Sequence, residues 1–409
     1  MTLPPPPRSR SDRAPLEGVR VLDFTRVVAG PYCTMMLADL GAEVAKVEQP
    51  KVGDELRSIV RYRGRGPEDE DYFYALNRSK NSATLDLKNP AGREAAQSLA
   101  RHADVVVENF VPGAAARLGV GWEDLHPLNP RLVYCSLSGF GQTGPYRDRL
   151  ALDPIIQALS GVMSVTGSPE GEPTAIGAPI ADVVAGMFAA YAVVACLYAV
   201  RQGEPGRFID VSMLDSMIAV LGPRMGETLQ AGVLPERVGN ENPMRVPAGT
   251  YLASDGRYVD VIVQNDRYWE PFCRALDRPE WFQDHRFTTV ALRIRHRAEL
   301  NALVAARFAE RAAAEWVERL SAERVPASVV NDYAGALADP QVLHRGLVRT
   351  VEHPRSGPIR VVGPPWVMDR AEAKMEPPPL LGQHTEQVLR EWLGWGNAEI
   401  ERLRSGTNA

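Results

Sequence analysis

From Gly18 onward the chain repeats one unit: a short apolar run, a helical stretch, and a second apolar run, joined by links of only a few residues. Strands joined by helical crossovers pair in parallel, so this alternation restricts the chain to an open α/β sheet covered on both faces. VRVLDF (Val19–Phe24) reads as a buried strand, Pro31 to Leu40 as a helix closed by Gly41, and Glu43 to Glu48 as the next strand. Ser82 to Leu87 is a further strand, and Asn89-Pro90 opens a helix that runs to about His102, with proline in its first turn. VVVENF (Val105–Phe110), LVYCSLS (Leu132–Ser138) and RFIDVSM (Arg207–Met213) continue the strands, while Asp153-Pro154 and Asp182 start helices. The fold class predicted is α/β, a doubly wound parallel sheet of Rossmann-like type.

The pattern changes after about Pro223. Asp255-Gly256 between Thr250–Ser254 and Arg257–Val263 signals a hairpin. Helical stretches follow around Arg267–Leu276, His296–Ala309 and Ala312–Leu320, which together predict a small α+β domain over 224–335. The large domain then comprises 16–223 and 336–409. Its last part is Pro-rich and irregular, with a helix from Glu386 to Trp392, and is expected to pack onto the first domain or onto a partner subunit. Residues 1–15 hold Pro, Arg and Ser without an apolar core, and are expected to be a disordered lead-in rather than a signal peptide.

Several classes of function are disfavoured. A net charge of -5 gives no basic field for nucleic acid. Cys33, Cys135, Cys196 and Cys273 are scattered without a CxxC pair, which argues against a zinc site or disulfide framework and suits a reducing, cytoplasmic setting. The seven histidines show no metal-ligand spacing. Val183 to Val200 is apolar throughout and long enough to span a membrane, but its Ala and Gly content and its isolation predict a helix buried on all sides. GFGQTG (Gly139–Gly144) matches GxGxxG after a strand. However, Pro145 follows and no helix begins there to receive a pyrophosphate, so a nicotinamide or flavin dinucleotide is not expected.

Asp182 stands between GAPIA (Gly177–Ala181) and the apolar helix. Aspartate at a helix start is first of all a capping residue. It is also a carboxylate placed where the helix dipole and free N–H groups favour the anion, so it is expected to stay ionised at neutral pH, as a nucleophile requires. Position alone leaves both roles open.

The segment LEGVRVLDFTRVVAGPYCTMMLADLGAEVAKVE (Leu16–Glu48) resembles the opening of the class III CoA transferases, a family that includes formyl-CoA transferase, carnitine CoA transferase, succinyl-CoA:glutarate-type transferases and α-methylacyl-CoA racemase. Matches continue in order through Asn77–Lys88, Ala103–Gly119, Cys135–Pro145, Ile180–Met187, Gln341–Val348 and Pro378–Thr385. The resemblance implies a Rossmann-like large domain built from both ends of the chain, a small domain between them, and two chains interlocked as a homodimer. It implies that Asp182 is the nucleophile of an acyl-CoA:carboxylate CoA transferase, working through an aspartyl anhydride and an aspartyl-CoA thioester without metal or ATP. Coenzyme A or acyl-CoA would be substrate rather than resident cofactor, and a small carboxylic acid the second partner. The family's CoA contacts carry over to Val28, Ala29, Leu85, Asp86, Leu87, Lys88, Asn109, Phe110 and Arg117, with Lys88 and Arg117 toward phosphates, and Ser138, Gly139, Phe140 and Gly141 form the loop beside the thioester.

Val28 stands where formyl-CoA transferases carry glutamine, and the tetraglycine loop of those enzymes is missing. Leu152-Asp153 replaces the His-Asp pair of the racemases, which disfavours a two-base isomerase. The overall pattern, the tail especially, leans toward the succinyl-CoA:dicarboxylate group. Arg26, Arg57 and Arg245 are the arginines expected to hold a distal carboxylate. A racemase-like isomerase and a non-catalytic subunit of a hetero-oligomeric transferase are the alternatives.

Overall fold

A computed structural model describes residues 13–58, 71–369 and 375–407, and most of the expected lead-in lies outside them. The chain divides into two compact units. The first takes residues up to Val162, Ile176–Gly226 and the chain from His344 onward; the second takes Met163–Ala175 and Glu227–Leu343.

The first unit is built on β1 (Arg20–Asp23), α1 (Ala29–Asp39), β2 (Glu43–Glu48), α2 (Asp71–Leu76), β3 (Lys80–Thr84), α3 (Pro90–Arg101), β4 (Val105–Glu108), α4 (Ala114–Arg117), α5 (Trp122–Leu125), β5 (Val133–Ser138), α6 (Asp153–Ser160), α7 (Ile180–Arg201), β6 (Phe208–Ser212) and α8 (Met213–Ala231). The six strands form one sheet in the order β3-β2-β1-β4-β5-β6, and every neighbouring pair is parallel. The order reverses between β1 and β4. A doubly wound sheet opens a crevice at the carboxyl ends of its strands at that reversal, and ligands enter there.

Local chemistry accounts for the elements. The Asn89 side chain accepts the Ala91 N–H at 2.9 Å and Pro90 opens α3, so the expected helix start is the observed one. Helix α8 passes through Pro223 and ends at Ala231. Helix α7 is not buried on all sides, contrary to the sequence expectation. Its small residues face α1, where a Cβ on Gly186 would stand 2.5 Å from the Ala29 carbonyl oxygen. Met187, Phe188, Tyr191 and Tyr198 are exposed on another side. The alternation of small and bulky side chains, not uniform apolarity, decides which face packs. By length and hydropathy alone this 22-residue helix would pass for a membrane span, and 44 % of its most apolar window is buried.

In the second unit, β7 (Ala248–Leu252), β8 (Tyr258–Ile262) and, after α9 (Trp269–Ala275), α10 (Glu280–Gln283), α11 (Val290–Arg295), α12 (Arg297–Phe308) and α13 (Ala313–Ala322), β9 (Ala327–Val329) make an antiparallel sheet over a core that includes Trp269, Phe272, Phe308 and Trp316. Two short helices, α14 (Tyr333–Ala338) and α15 (Pro340–His344), close it. The fully buried Arg293 donates to the carbonyls of Val246 and Phe287, both at 2.9 Å, and to Asp266 at 2.8 Å.

The chain then returns to the first unit. An unexpected antiparallel hairpin, β10 (Val348–His353) with β11 (Gly357–Val362), precedes α16 (Thr385–Leu393) and α17 (Asn397–Thr407). The tail packs on the parallel sheet: Val388, Leu389, Trp392, Ile400 and Leu403 join the core of Leu22, Val47 and Val106. The Gly382 N–H donates to Ser82 Oγ at 2.8 Å and the Thr84 N–H to Thr385 Oγ1 at 2.9 Å.

Candidate active site at the carboxyl ends of the strands

Two clefts open where the sheet order reverses. The first, about 270 Å³, is walled by residues that follow β1, β2 and β3: Thr25, Arg26, Gln49, Gly53 and Leu85 to Lys88, with Phe110. The second, about 160 Å³, is walled by Val27 to Ala29 after β1, Asn109 to Pro112 after β4, Ser138 to Phe140 after β5 and Met213 after β6. Phe110 borders both.

The β1 loop is held tightly. The Arg26 N–H donates to Asn109 Oδ1, and Asn109 Nδ2 donates back to the Arg26 carbonyl, each at 2.8 Å. Beneath it, buried Lys46 donates to the Thr25 carbonyl at 2.7 Å and pairs with Asp54 at 2.9 Å. Asp54 accepts the N–H of Val27 at 3.2 Å. Val27 has φ 65°, a left-handed conformation costly for a β-branched residue, and these surrounding bonds hold it. Sequence reasoning missed this network. A lysine in the middle of the strand EVAKVE was the available signal, since a lysine on a buried strand requires a partner.

Asp182 lines the second cleft. It lies in the first turn of α7 but does not cap it. The buried Asp153 of α6 does so from outside: its Oδ2 accepts the N–H groups of Ala181 at 2.7 Å and Asp182 at 3.2 Å, while Gln157 Nε2 donates to Oδ1 at 2.6 Å. The Asp182 carboxyl is thereby left to the cleft. Burial, and then the nearby Asp153 charge, push its pKa up from 3.8 to about 7. This corrects the expectation that the helix N-terminus keeps Asp182 fully ionised at neutral pH: desolvation outweighs the dipole. Burial likewise raises Glu108, at the end of β4, to about 7.

Of the residues expected at the site, the second cleft gathers Val28, Ala29, Asn109, Phe110, Ser138, Gly139, Phe140 and Asp182. The first gathers Leu85, Asp86, Leu87 and Lys88. Arg117 and Gly141 wall neither. The exposed Arg117 ends α4, its guanidinium 3.2 Å from where a Cβ on Gly113 would lie, with Arg147 3.6 Å from the same point. Gly141 has φ 84° and donates its N–H to Ser138 Oγ at 3.0 Å, which shapes the β5 loop. No helix follows GFGQTG before Asp153, so that motif is a loop and not a dinucleotide fingerprint. Arg57 is not available to a ligand: it is 8 % exposed, forms a bidentate pair with Glu48 at 2.8 Å, and stacks on Phe73. Arg147 and Arg149 were not singled out from sequence as site residues, and Asp153 was read there only as a helix start and as half of the Leu152-Asp153 pair; only the fold brings them to Asp182.

A parallel sheet with a carboxyl group lining its switch-point crevice, beside a glycine-containing loop and two arginines, can receive an anionic ligand and present a carboxylate to it. The CoA-transferase family III model matches residues 16–385, and the chain belongs to that family. It is 38% identical over 394 residues to the succinyl-CoA:glutarate CoA-transferase of Mus musculus, covering 95% of this chain and 89% of the relative. It is 37% identical to the succinate–glutarate CoA-transferase of Agrobacterium fabrum, with 93% and 96% covered. A solved CAIB/BAIF family protein from Brucella suis superposes with a TM-score of 0.83 at 34% identity, over 92% of this chain and 99% of the other. The chain is a transferase that moves CoA between an acyl-CoA and a carboxylate.

Proposed function

We propose that this enzyme moves CoA from a dicarboxylic acyl-CoA, succinyl-CoA first, to a second dicarboxylic acid such as glutarate, with Asp182 as the nucleophile. The observation that carries the reading is the convergence of Asp182, the Ser138–Phe140 loop and the Val28–Ala29 turn on one cleft. The acids are those in the names of the mouse and Agrobacterium relatives.

In this reading the adenine and phosphate end of the carrier lies along the first cleft, with Lys88 and Arg117 toward its phosphates, and the thioester reaches the second cleft. The Asp182 carboxylate attacks the thioester carbonyl, the C–S bond breaks, and CoA leaves as thiolate, giving an acyl-aspartyl anhydride. The thiolate attacks the Asp182 carbonyl carbon, releasing the donor acid and leaving an aspartyl-CoA thioester. The acceptor carboxylate attacks that carbon and expels the thiolate, forming a second anhydride. The thiolate finally attacks the acceptor's acyl carbon, which frees Asp182 and the new acyl-CoA. The carrier stays bound between steps, so each return of the thiolate is effectively intramolecular. A raised Asp182 pKa suits the attacking steps of this cycle, because a poorly solvated, more basic carboxylate is a better nucleophile.

An isomerase would need a second acid-base group opposite Asp182. Leu152 stands in the place where the racemases carry histidine, and no histidine lines the cleft. We read the active form as a homodimer in the cytoplasm: the apolar side of α7, with Met187, Phe188 and Tyr191, offers a surface for a second copy, and the four thiols are all free. The test is to incubate purified chain with succinyl-CoA and a panel of carboxylic acids, with Asp182→Ala alongside, and to weigh the CoA esters. New esters from wild type alone are expected. Transfer that survives in Asp182→Ala would remove Asp182 from its role, and transfer that requires an added second polypeptide would mean that the chain is one subunit of a hetero-oligomer.

A further inference from the structure

Two cations line the same cleft as Asp182, Arg147 and Arg149. Neither forms an ion pair with a carboxylate among the described residues, and the Asp148 between them is no exception. Neither is a cause of the Asp182 pKa, so the arginines do not serve to neutralise the nucleophile. They differ in setting. Arg147 reaches back to Gly113, beside the exposed Arg117. Arg149 is stacked, its guanidinium carbon 3.8 Å from the Tyr146 ring centroid, and Tyr146 in turn meets Phe140 edge-on at 5.7 Å. Apolar Phe140, Val28, Leu137 and Met213 line the cleft as well, together with polar Asn109 and Ser138. A guanidinium stacked on an aromatic face at the exposed rim of the cleft, without a carboxylate partner among the described residues, is placed to take a carboxylate bidentately.

We infer that Arg149, held by Tyr146, binds the distal carboxylate of the acyl group and so makes this enzyme a dicarboxylate transferase. The inference rests on the transferase reading above and names the residue behind its substrate class. Donor and acceptor acids occupy the acyl position in turn, so the same guanidinium serves both: it discriminates succinyl-CoA from butyryl-CoA and glutarate from valerate by one mechanism.

The test compares wild type, Arg149→Met, Arg149→Lys, Tyr146→Leu and Arg147→Met. It reads the ratio of kcat/KM for glutarate to that for valerate with a common donor. It also reads the ratio of Kd for butyryl-CoA to that for succinyl-CoA, in the Asp182→Asn background where no turnover intervenes. Arg149→Met should lower both ratios about 10- to 100-fold, the range of a lost charge-assisted hydrogen-bond pair. Arg149→Lys and Tyr146→Leu should lower them less. Unchanged ratios in Arg149→Met overturn the assignment. So does an equal loss of affinity for both CoA esters, which would make Arg149 a contact to the carrier, and so does a collapse of the ratios in Arg147→Met alone. Wild type that transfers CoA to neither acid defeats the glutarate reading of the acceptor instead, and the Kd ratio still decides Arg149.

Discussion

Replacing Asp182 with Asn should stabilise the protein, and should do so more at alkaline than at acid pH. The Asp182 carboxyl ionises near 7 in the folded chain instead of near 3.8. Because the folded-state pKa is raised, the penalty is absent below the unfolded pKa, grows as pH rises, and is complete above about 7. Each pH unit of displacement is worth about 1.4 kcal/mol, so the full penalty is at most ~4 kcal/mol. By the same relation ~1.5 kcal/mol of it is already present at about pH 5, and the increment from there to about pH 8.5 is ~2.5 kcal/mol, or ~1–2 kcal/mol after discounting for the residual solvent contact of a carboxyl open to a cleft. An unfolding entropy of about 2.1 cal/mol/K per residue makes 1 kcal/mol worth ~1 °C in a chain of this length. The gain in Tm of Asp182→Asn over wild type should therefore be ~1–2 °C larger at the alkaline pH, read by calorimetry or by urea unfolding at both pH values. Glu108 and Asp39 also titrate upward of the usual carboxylate range, to about 7 and about 6, but they are present in both proteins and cancel. A gain independent of pH, or one larger at acid pH, would refute the claim that the nucleophile is held desolvated.

Three further outcomes follow from the site. The pH profile of kcat/KM should fall on the acid side with a midpoint near 7, and Asp153→Asn should move that midpoint down, because it removes the like charge that helps to raise Asp182. Asn109→Ala cuts both bonds to the Arg26 backbone; steady-state kinetics should show KM for acyl-CoA raised ~10-fold with a smaller change in kcat, the mark of lost carrier binding. Arg293→Met leaves two carbonyls and Asp266 without their donor and should destabilise the second unit by ~3 kcal/mol in urea unfolding, without moving the Asp182 pH limb.

The strand-and-helix alternation of the first unit was legible because short apolar runs such as Val19–Phe24 and Val105–Phe110 alternate with helical stretches, and crossovers carry punctuation such as Asn89-Pro90 or Gly41. Glu43–Glu48 coincides with the observed strand. The hairpin at Val348–Val362 was not legible, since Pro354, Pro358 and Gly357 made it look irregular, and α17 was missed because its apolar positions are few. At the site, the loops after β1, β3, β4 and β5 could be placed at strand ends from periodicity, and Asp182 at a helix start. Its ionisation could not be read in the same way. The dipole is local and visible in sequence, but desolvation and Asp153 come from the packing of α6 against α7, 29 residues apart in the chain. The same holds for Arg149, whose stacking on Tyr146 and distance from any carboxylate exist only in three dimensions.

The contact of Gly186 with the Ala29 carbonyl oxygen bears on timing as well as packing. A side chain there would stand 2.5 Å from that oxygen, so α7 rests directly on the start of α1. Helix α7 carries Asp182 one turn away, and Ala29, the first residue of α1, lines the same cleft. The two therefore act as the jaws of a caliper whose gap is set by the absence of a methyl group. An alanine at 186 would press on a backbone oxygen and could be accommodated only by moving α7 away from the start of α1, and Asp182 with it. With Asp182 as the proposed nucleophile, hydrolysis of succinyl-CoA relative to transfer is the quantity that a substitution at Gly186 is expected to raise.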